Sequence, residues 1–350
     1  MRGLGVRLWM VAVMALVMAV GCSDDGDGSA GEGEGADPSG TSDTHDDHDM
    51  HGDGAAGDGA ADDLHDDHDM HATGDGDDAA QDAHDDHDMH GMMHIGFEAM
   101  VGDAAFTCDQ TYEGLGSSDA RAEPLDFRLY VHDVRLLSGD DEIPLELADS
   151  DWQHGGVALL DFEDASGTCQ NGTAETNTMI MGAAPDGDYD GIAFKVGVPV
   201  PMNHDDPASA ASPMNVTALH WNWNGGYKFM RLDMRVMLDD PDTDAGPTTP
   251  YNFHLGSTVC TGDAPTGEDV SCDNANRPEV TLPDFDPATD TIVLDYAALV
   301  AGEDLQVDEG GKPGCMSFPG DMDCPALFEN LGLDYDTGEA VGDQAVFSVK

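Results

Sequence analysis

Residues 227–237 read Tyr-Lys-Phe-Met-Arg-Leu-Asp-Met-Arg-Val-Met, and their polarity alternates along the chain. Successive side chains of an extended segment point to opposite faces. One face of this segment carries Lys228, Met230, Leu232, Met234 and Val236, and the other carries Tyr227, Phe229, Arg231, Asp233 and Arg235. The period of two predicts a β-strand that turns an apolar face towards a core.

Similar short runs recur on both sides of this strand, and turn-forming Gly, Pro and Asp residues separate them. We predict further strands at residues 94–101, 126–137, 157–162, 189–198, 250–255 and 291–294. Helical patterns are limited to a turn or two near residues 296–300 and 326–331. Short strands with long connections predict one all-β domain over residues 91–350, either a sandwich or a barrel.

The domain contains an even number of cysteines: Cys108, Cys169, Cys260, Cys272, Cys315 and Cys324. In an exported chain this favours disulfides over free thiols, although spacing alone leaves several pairings open. Short loops favour the pairs Cys260–Cys272 and Cys315–Cys324, which leaves Cys108 with Cys169. A zinc site formed by these cysteines is the alternative to disulfides, but no Cys-x-x-Cys pair supports it.

Residues 1–22 predict an export signal. Arg2 and Arg7 precede an apolar run at residues 8–20, which is shorter than the roughly 20 residues of a membrane-spanning helix. The run leads to Ala19-Val-Gly-Cys22, which resembles a bacterial lipoprotein box with Ala in place of the usual Leu. We predict that Cys22 is lipidated and anchors the chain in the cell envelope, in the periplasm or at the outer membrane. An ordinary secreted protein cleaved nearby is the alternative.

Residues 23–90 are rich in Asp and contain no Lys, Arg or aromatic residue. Such a segment buries too little apolar surface to fold, so we predict a disordered acidic tract. The heptapeptide His-Asp-Asp-His-Asp-Met-His occurs in it three times without change. Imidazole and thioether groups are ligands for copper and related metals, which makes the repeats a predicted metal-capture segment. Its candidate ligands are His45, His48, His51, His65, His68, His71, His84, His87 and His90. A solvated spacer is the alternative.

The whole chain has 72 acidic and 12 basic side chains, a formal net charge of -60. This charge excludes nucleic acid as a partner, because binding to phosphates needs a basic surface. The chain also lacks a nucleophile elbow, a phosphate loop and a zinc-hydrolase helix motif. We therefore do not expect an enzyme.

A series of blocks spans the domain in a fixed order. They are Asp126-Phe-Arg-Leu-Tyr-Val131, Trp152-Gln153, Leu159-Leu-Asp-Phe-Glu163, Gly197-Val-Pro199, Asn203-His204, Ser212-Pro-Met-Asn215, Trp221-Asn-Trp-Asn-Gly-Gly-Tyr-Lys-Phe229, His254-Leu-Gly-Ser-Thr258, Cys315-Met-Ser317 and Cys324. Together they resemble the MbnP-like periplasmic copper-binding proteins, over nearly all of residues 94–350 and none of the repeats.

The resemblance implies a copper-binding protein whose partner is a di-haem cytochrome c peroxidase-like enzyme. That enzyme would oxidise a Trp of this chain to kynurenine, whose aryl amine can lie at the copper site in related proteins. The candidates are Trp221 and Trp223, which would face the same side of an extended segment. The matched blocks also imply His204 and His254 as copper ligands, with His220 as a third candidate.

The remaining imidazoles receive a simpler interpretation. We expect His132 and His154 to be hydrogen-bonded structural residues, while His94 lies close enough to the last repeat to belong to either group. A second hypothesis for the whole chain is a surface-exposed structural or adhesion sandwich on an acidic stalk, without metal in the domain.

Overall fold

The alternating segment does form a strand, which runs from Met230 to Met237. The computed structural model describes residues 90–222, 224–238 and 246–350. The export signal with Cys22, the repeat residues up to 89 and Trp223 lie outside the described residues, so what we expect of them stays a prediction. The backbone of His90 begins the first strand, whereas its side chain is not described.

Every strand predicted from the sequence is present, together with shorter ones. The strands are β1 (His90–Val101), β2 (Ala104–Ala105), β3 (Tyr112–Leu115), β4 (Ala120–Ser138), β5 (Asp141–Pro144), β6 (Glu146–Leu147), β7 (Gln153–His154), β8 (Val157–Asp161), β9 (Met179–Pro185), β10 (Gly191–Val196), β11 (Met230–Met237), β12 (Thr248–Leu255), β13 (Thr258–Thr261), β14 (Ser271–Asn274), β15 (Glu279–Pro283), β16 (Thr291–Asp295), β17 (Gly314–Cys315) and β18 (Phe347–Val349). The α-helices in the described part of the chain are α1 (Tyr296–Leu299) and α2 (Pro325–Asn330).

Within the described residues the strands form two large sheets and one hairpin. The first sheet has the order β18-β16-β1-β9-β6, with β2 beside β1. The second has the order β15-β10-β4-β11-β12-β17, and β3, β5 and β8 also pair with β4. The hairpin joins β13 to β14. The long strand β4 therefore lies at the centre of the second sheet, and it positions the residues discussed below.

The pairing of β4 with β11 contains a bulge at one defined place. Asp233 pairs with Asp126, but Met234 pairs with Pro124, so the register shifts by one residue between them. Proline has no backbone N–H to donate to a ladder, and bulges are among the few sites that accept it within a sheet. Arg231 and Asp233 precede the bulge along β11 and lie on the same face of the strand.

The two large sheets pack face to face through aromatic side chains. Phe97 of β1 and Phe194 of β10 meet edge to face with ring centroids 5.8 Å apart, and Phe194 also meets Phe347 of β18 at 5.4 Å. Phe127 of β4 extends the same core towards Tyr296 of α1. Burial of these rings accounts for much of the apolar stabilisation of the fold. The predicted all-β class is confirmed, and the arrangement is a sandwich.

The predicted disulfides are confirmed, which removes the zinc-cluster alternative. Cys108 is bonded to Cys169, Cys260 to Cys272, and Cys315 to Cys324. Each cross-link is of the kind that stabilises a small exported domain by about 2–4 kcal/mol, mainly by restricting the unfolded chain. None of the helices in the described ranges has the length and apolar character needed to cross a bilayer.

Two buried carboxyl groups near the helices predict a pH-dependent stability. Burial, and then the charge of Asp323, raise the pKa of Glu303 from its usual 4.5 to about 7. The folded state therefore holds this proton more tightly than the unfolded chain does, and stability falls as the pH rises from about 4.5 to about 7. We expect Glu303→Gln to stabilise the domain by on the order of 2 kcal/mol at pH 8 and by little at pH 4.

Urea denaturation of wild type and variant at both pH values measures this difference. The exposed Glu329→Gln is the matched control, because its side chain does not lie in the buried cluster. A stability gain for Glu303→Gln that is the same at pH 4 and pH 8 would contradict the assignment of the buried proton to this side chain.

Candidate metal centre

A row of charged side chains crosses the outer face of the second sheet. The strand register places its members side by side across β8, β4, β11 and β12: Asp161, Arg128, Arg231 and His254. Asp126 and Asp233 lie two residues along β4 and β11, and therefore on the same face. Despite its charges the row is buried: Arg128 is 1% exposed and Asp233 is 2% exposed.

Asp126, Arg128, Arg231 and Asp233 each have a partner of opposite sign in this row. Arg128 binds the Asp126 carboxylate through Nε, at 2.8 Å, and its Nη1 lies 3.6 Å from Glu163 Oε1. Arg231 donates from Nε to Asp233 Oδ2 at 2.8 Å, and its Nη1 lies 3.1 Å from Asp126 Oδ2. Pairing of this kind is what allows ionised groups to stay in a buried environment.

His254 lies at the end of the charged row. Its Nε2 is 2.9 Å from Asp233 Oδ1. Burial alone would raise the pKa of Asp233, but His254 and Arg231 outweigh burial and hold that pKa below its usual value. In the tautomer that carries the proton on Nε2, the lone pair of the imidazole is on Nδ1. Histidine ligands of metals are commonly oriented by a carboxylate in this way.

His204 reaches the same region from the long connection between β10 and β11. Its Nε2 lies 3.5 Å from Cys272 Sγ and 3.2 Å from Asn203 Nδ2. The buried Asn203 accepts a hydrogen bond from the Tyr227 backbone N–H through Oδ1, at 3.2 Å. Gly226 permits this approach: its φ is +70°, and a Cβ there would come within 2.4 Å of the Asn203 carbonyl oxygen.

Two buried tyrosines hold the connection that carries His204. One lies on β4, and the other lies within the connection itself. Tyr130 of β4 donates its hydroxyl to the Pro213 carbonyl at 3.0 Å, and Tyr227 donates its hydroxyl to the Met214 carbonyl at 2.6 Å. The two rings meet edge to face with centroids 5.8 Å apart. A rigid sheet therefore positions a segment that has little regular structure of its own.

Trp221 lies between the extended His220 and the turn at residues 224–225. Its backbone N–H donates to the Gly226 carbonyl at 3.0 Å, and the Gly226 N–H returns to the Asn222 carbonyl at 2.8 Å. The half-buried indole packs on Gly256, where a Cβ would lie 2.5 Å from the indole Cζ3, and it meets Phe318 with ring centroids 5.6 Å apart. Whether Trp223 shares this side stays a prediction.

His220 is a neighbour of His204. Its ring meets the Tyr227 ring edge to face with centroids 4.9 Å apart, and its backbone forms a bridge with the same residue. Burial lowers the pKa of His220, and the nearby His204 lowers it further. A low pKa keeps imidazole neutral and able to bind a metal at neutral pH.

One short segment, from the end of β12 into β13, connects these side chains. It starts with His254, continues through Gly256 under the indole of Trp221, and reaches Cys260 near His204. The ligand atoms of His204, Cys260 and Cys272 all lie within 4.8 Å of one another. Gly256, which contacts the indole of Trp221, is two residues from His254 along the chain. The two sulfurs are bonded to each other, which leaves imidazoles as the metal-binding groups of the oxidised chain.

Comparison with known proteins identifies the family. The MbnP family model matches residues 90–317. The chain belongs to the MbnP family. Among solved structures the chain is similar to MbnP from Methylosinus trichosporium, with 33% sequence identity and a TM-score of 0.66, over 74% of this chain and 98% of that chain. A search of curated proteins finds no match.

The MbnP match includes His204, His220, Trp221 and His254, and it leaves out almost all of the repeat tract. The resemblance seen in the sequence is therefore confirmed. The repeats precede the matched residues, apart from His90 at the end of the last one.

The other imidazoles of this MbnP-family chain make contacts of a structural kind. His132 is buried with Nδ1 2.9 Å from the Gly197 carbonyl, and burial lowers its pKa to about 4. The half-exposed His154 lies 3.5 Å from Asp149. His94 belongs to β1 and lines a surface cavity with Asp188 and Asp286.

Sequence reasoning missed two features of this candidate site. Asp233, whose carboxylate lies 2.9 Å from His254 Nε2, is visible in the sequence only as a polar residue on one face of the alternating strand. The closeness of His204 to the Cys260–Cys272 disulfide depends on the fold, since the residues are 68 positions apart.

Proposed function

We propose that this chain is an exported copper-binding protein whose domain holds copper between His204 and His254, beside Trp221. The observation that carries the proposal is the segment from His254 to Cys260, which passes under the indole and ends at the side chain of His204. Membership of the MbnP family supports it. The lipidated Cys22 would keep the chain at the membrane of the cell envelope.

The proposed ligands match the chemistry of copper. Imidazole nitrogen binds both copper oxidation states well, and divalent copper has the highest intrinsic affinity of the first-row divalent metals for such sites. Asp233 behind His254 would fix its ring and increase its basicity. His220 lies near His204 and is the third candidate ligand of this site.

In the same proposal a di-haem cytochrome c peroxidase-like partner oxidises a Trp of this chain to kynurenine. Trp221 is the favoured residue because its indole packs on Gly256, two residues from His254. Opening of the five-membered ring would create an aryl amine there, and this amine would add a nitrogen ligand to the site. Trp223 is the second candidate.

Coexpression with the di-haem partner tests the oxidation. Peptide mass analysis of the native protein is expected to find kynurenine at Trp221, with Trp152 as an internal control that stays unmodified. Kynurenine at position 223 instead would assign the modification to Trp223, the second candidate. Unmodified Trp221 and Trp223 in copper-loaded protein would contradict the oxidation proposal and leave copper binding to be tested separately.

The repeat tract is proposed to gather copper for the domain. Deleting residues 41–89 is expected to lower the copper stoichiometry while one tight site remains, because His204 and His254 lie in the domain. Titration of the full chain and of the deletion variant with Cu(I), in competition with a chromophoric chelator, measures both quantities. Loss of all tight binding in the deletion variant would favour the alternative, a structural sandwich on an acidic stalk.

A further inference from the structure

The Cys260–Cys272 disulfide differs from the other two disulfides in its exposure. Both of its cysteines are half-buried, whereas Cys108 is 3% exposed and Cys169, Cys315 and Cys324 are 0% exposed. Thiol–disulfide exchange requires a thiolate to reach a sulfur atom. A dithiol reductant in solution therefore reaches the Cys260–Cys272 bond first.

Reduction would leave the two cysteines in place. They occupy directly paired positions of β13 and β14, and the same hairpin is held by the pairs Thr258–Asn274 and Thr261–Ser271. At its base the Ser257 hydroxyl donates to the Ala275 carbonyl at 2.9 Å, and Asn276 Nδ2 donates to the Gly256 carbonyl at 2.8 Å. Backbone and side-chain hydrogen bonds thus keep the sulfurs close without the covalent bond.

The third member of the group is His204, with Nε2 3.5 Å from Cys272 Sγ. Metal bonds of about 2.3 Å to sulfur and about 2.0 Å to nitrogen place neighbouring ligand atoms about 3.5 Å apart. A donor set of two thiolates and one imidazole suits a soft monovalent or borderline divalent ion.

We propose that reduction of the Cys260–Cys272 disulfide creates a second metal site, in which both thiolates and His204 bind Cu(I). A dithiol reductant transfers two electrons and two protons to the disulfide, giving two thiols, and is itself oxidised to a disulfide. Binding of Cu(I) then releases the two thiol protons. Exchange with an oxidised dithiol reverses the step: two electrons pass from the thiolates to that disulfide, which takes up two protons and becomes a dithiol, while the Cys260–Cys272 bond re-forms and Cu(I) is released.

The redox state of this disulfide would therefore decide which groups bind copper together with the His204 imidazole. In the oxidised chain His204 acts with His254, and in the reduced chain it acts with the two sulfurs. The inference rests on the proposed function only in this shared use of His204. Because thiolate is the softer ligand, we expect the reduced chain to bind Cu(I) at least 100-fold more tightly than the oxidised chain.

The test uses the full chain, reduced with dithiothreitol and freed of the reductant by gel filtration without air. Alkylation and peptide mapping should label Cys260 and Cys272 and leave the four buried cysteines unlabelled. In a second sample that is reduced but not alkylated, added Cu(I) should produce the ultraviolet absorption of copper–thiolate bonds and the higher affinity. Both changes should be absent from the double variant Cys260→Ser with Cys272→Ser.

Two further variants separate this inference from the proposed function. His254→Ala should lose the site of the oxidised chain and keep the copper–thiolate absorption of the reduced chain, whereas His204→Ala should weaken both sites. Wild-type reduced protein that binds Cu(I) without thiolate absorption, or with the affinity of the oxidised form, would overturn the inference. That result would leave the imidazole site of the oxidised chain standing.

Discussion

Replacing Arg128 with alanine is expected to destabilise the domain by about 3–5 kcal/mol. Arg128 is the central cation of the buried row, with Asp126 at hydrogen-bonding distance and Glu163 at 3.6 Å. Without it these carboxyl groups would remain buried with too little positive charge to balance them. Leaving an uncompensated charge in a buried site costs far more than the loss of an exposed ion pair.

Urea denaturation at neutral pH measures the effect of Arg128→Ala. Arg121→Ala is the matched control, because Arg121 is half-exposed and its pair with the exposed Glu113 at 3.4 Å should contribute less than about 1 kcal/mol. Arg128→Met keeps much of the side-chain volume but removes the charge. It should therefore still show most of the destabilisation expected for Arg128→Ala. A variant at residue 128 as stable as the Arg121 control would show that the row is not held by charge.

Replacing either His204 or His254 with alanine is expected to weaken Cu(I) binding to the domain at least 100-fold, which corresponds to about 2.7 kcal/mol. Each variant removes a nitrogen ligand, and the remaining imidazole then acts without its partner. The loss should be similar for the two variants and should not double when they are combined, since the first substitution already breaks the two-coordinate site.

A chelator competition in the background of the 41–89 deletion isolates the domain site from the repeats. His154→Ala is the matched control, because His154 is half-exposed, contacts Asp149 and is expected to bind no copper in the domain. If His254→Ala binds Cu(I) with wild-type affinity, the copper site of the domain lies elsewhere. His254 would then be only a structural partner of Asp233.

The sequence predicts the strands that bury one complete face. Strands β1, β4, β8, β10, β11, β12 and β16 were all predicted, because their apolar residues alternate or run without interruption over several positions. Strand β9 contains Gly182 and two Ala residues, so its pattern is weak, and its place depends on pairing with β1. Strand ends also shifted: β11 starts at Met230, since the backbone of Tyr227 instead forms an isolated bridge with His220.

The disulfides could be predicted because short loops favour two of the pairs and leave one. The site could be predicted only in part. The family pattern points to His204, His254 and the Trp pair, but it contains no information on Asp233 or on the sulfur atoms beside His204. Those contacts depend on strand register and on the path of the connection between β10 and β11, which local patterns do not determine.

Anomalous diffraction at the copper edge, from crystals of the copper-loaded protein, tests the central claim most directly. The account predicts one copper ion in the domain, about 2 Å from a nitrogen of His204 and from a nitrogen of His254, with residue 221 alongside. A domain copper bound by other residues, with the His254 side chain still turned only to Asp233, would contradict it.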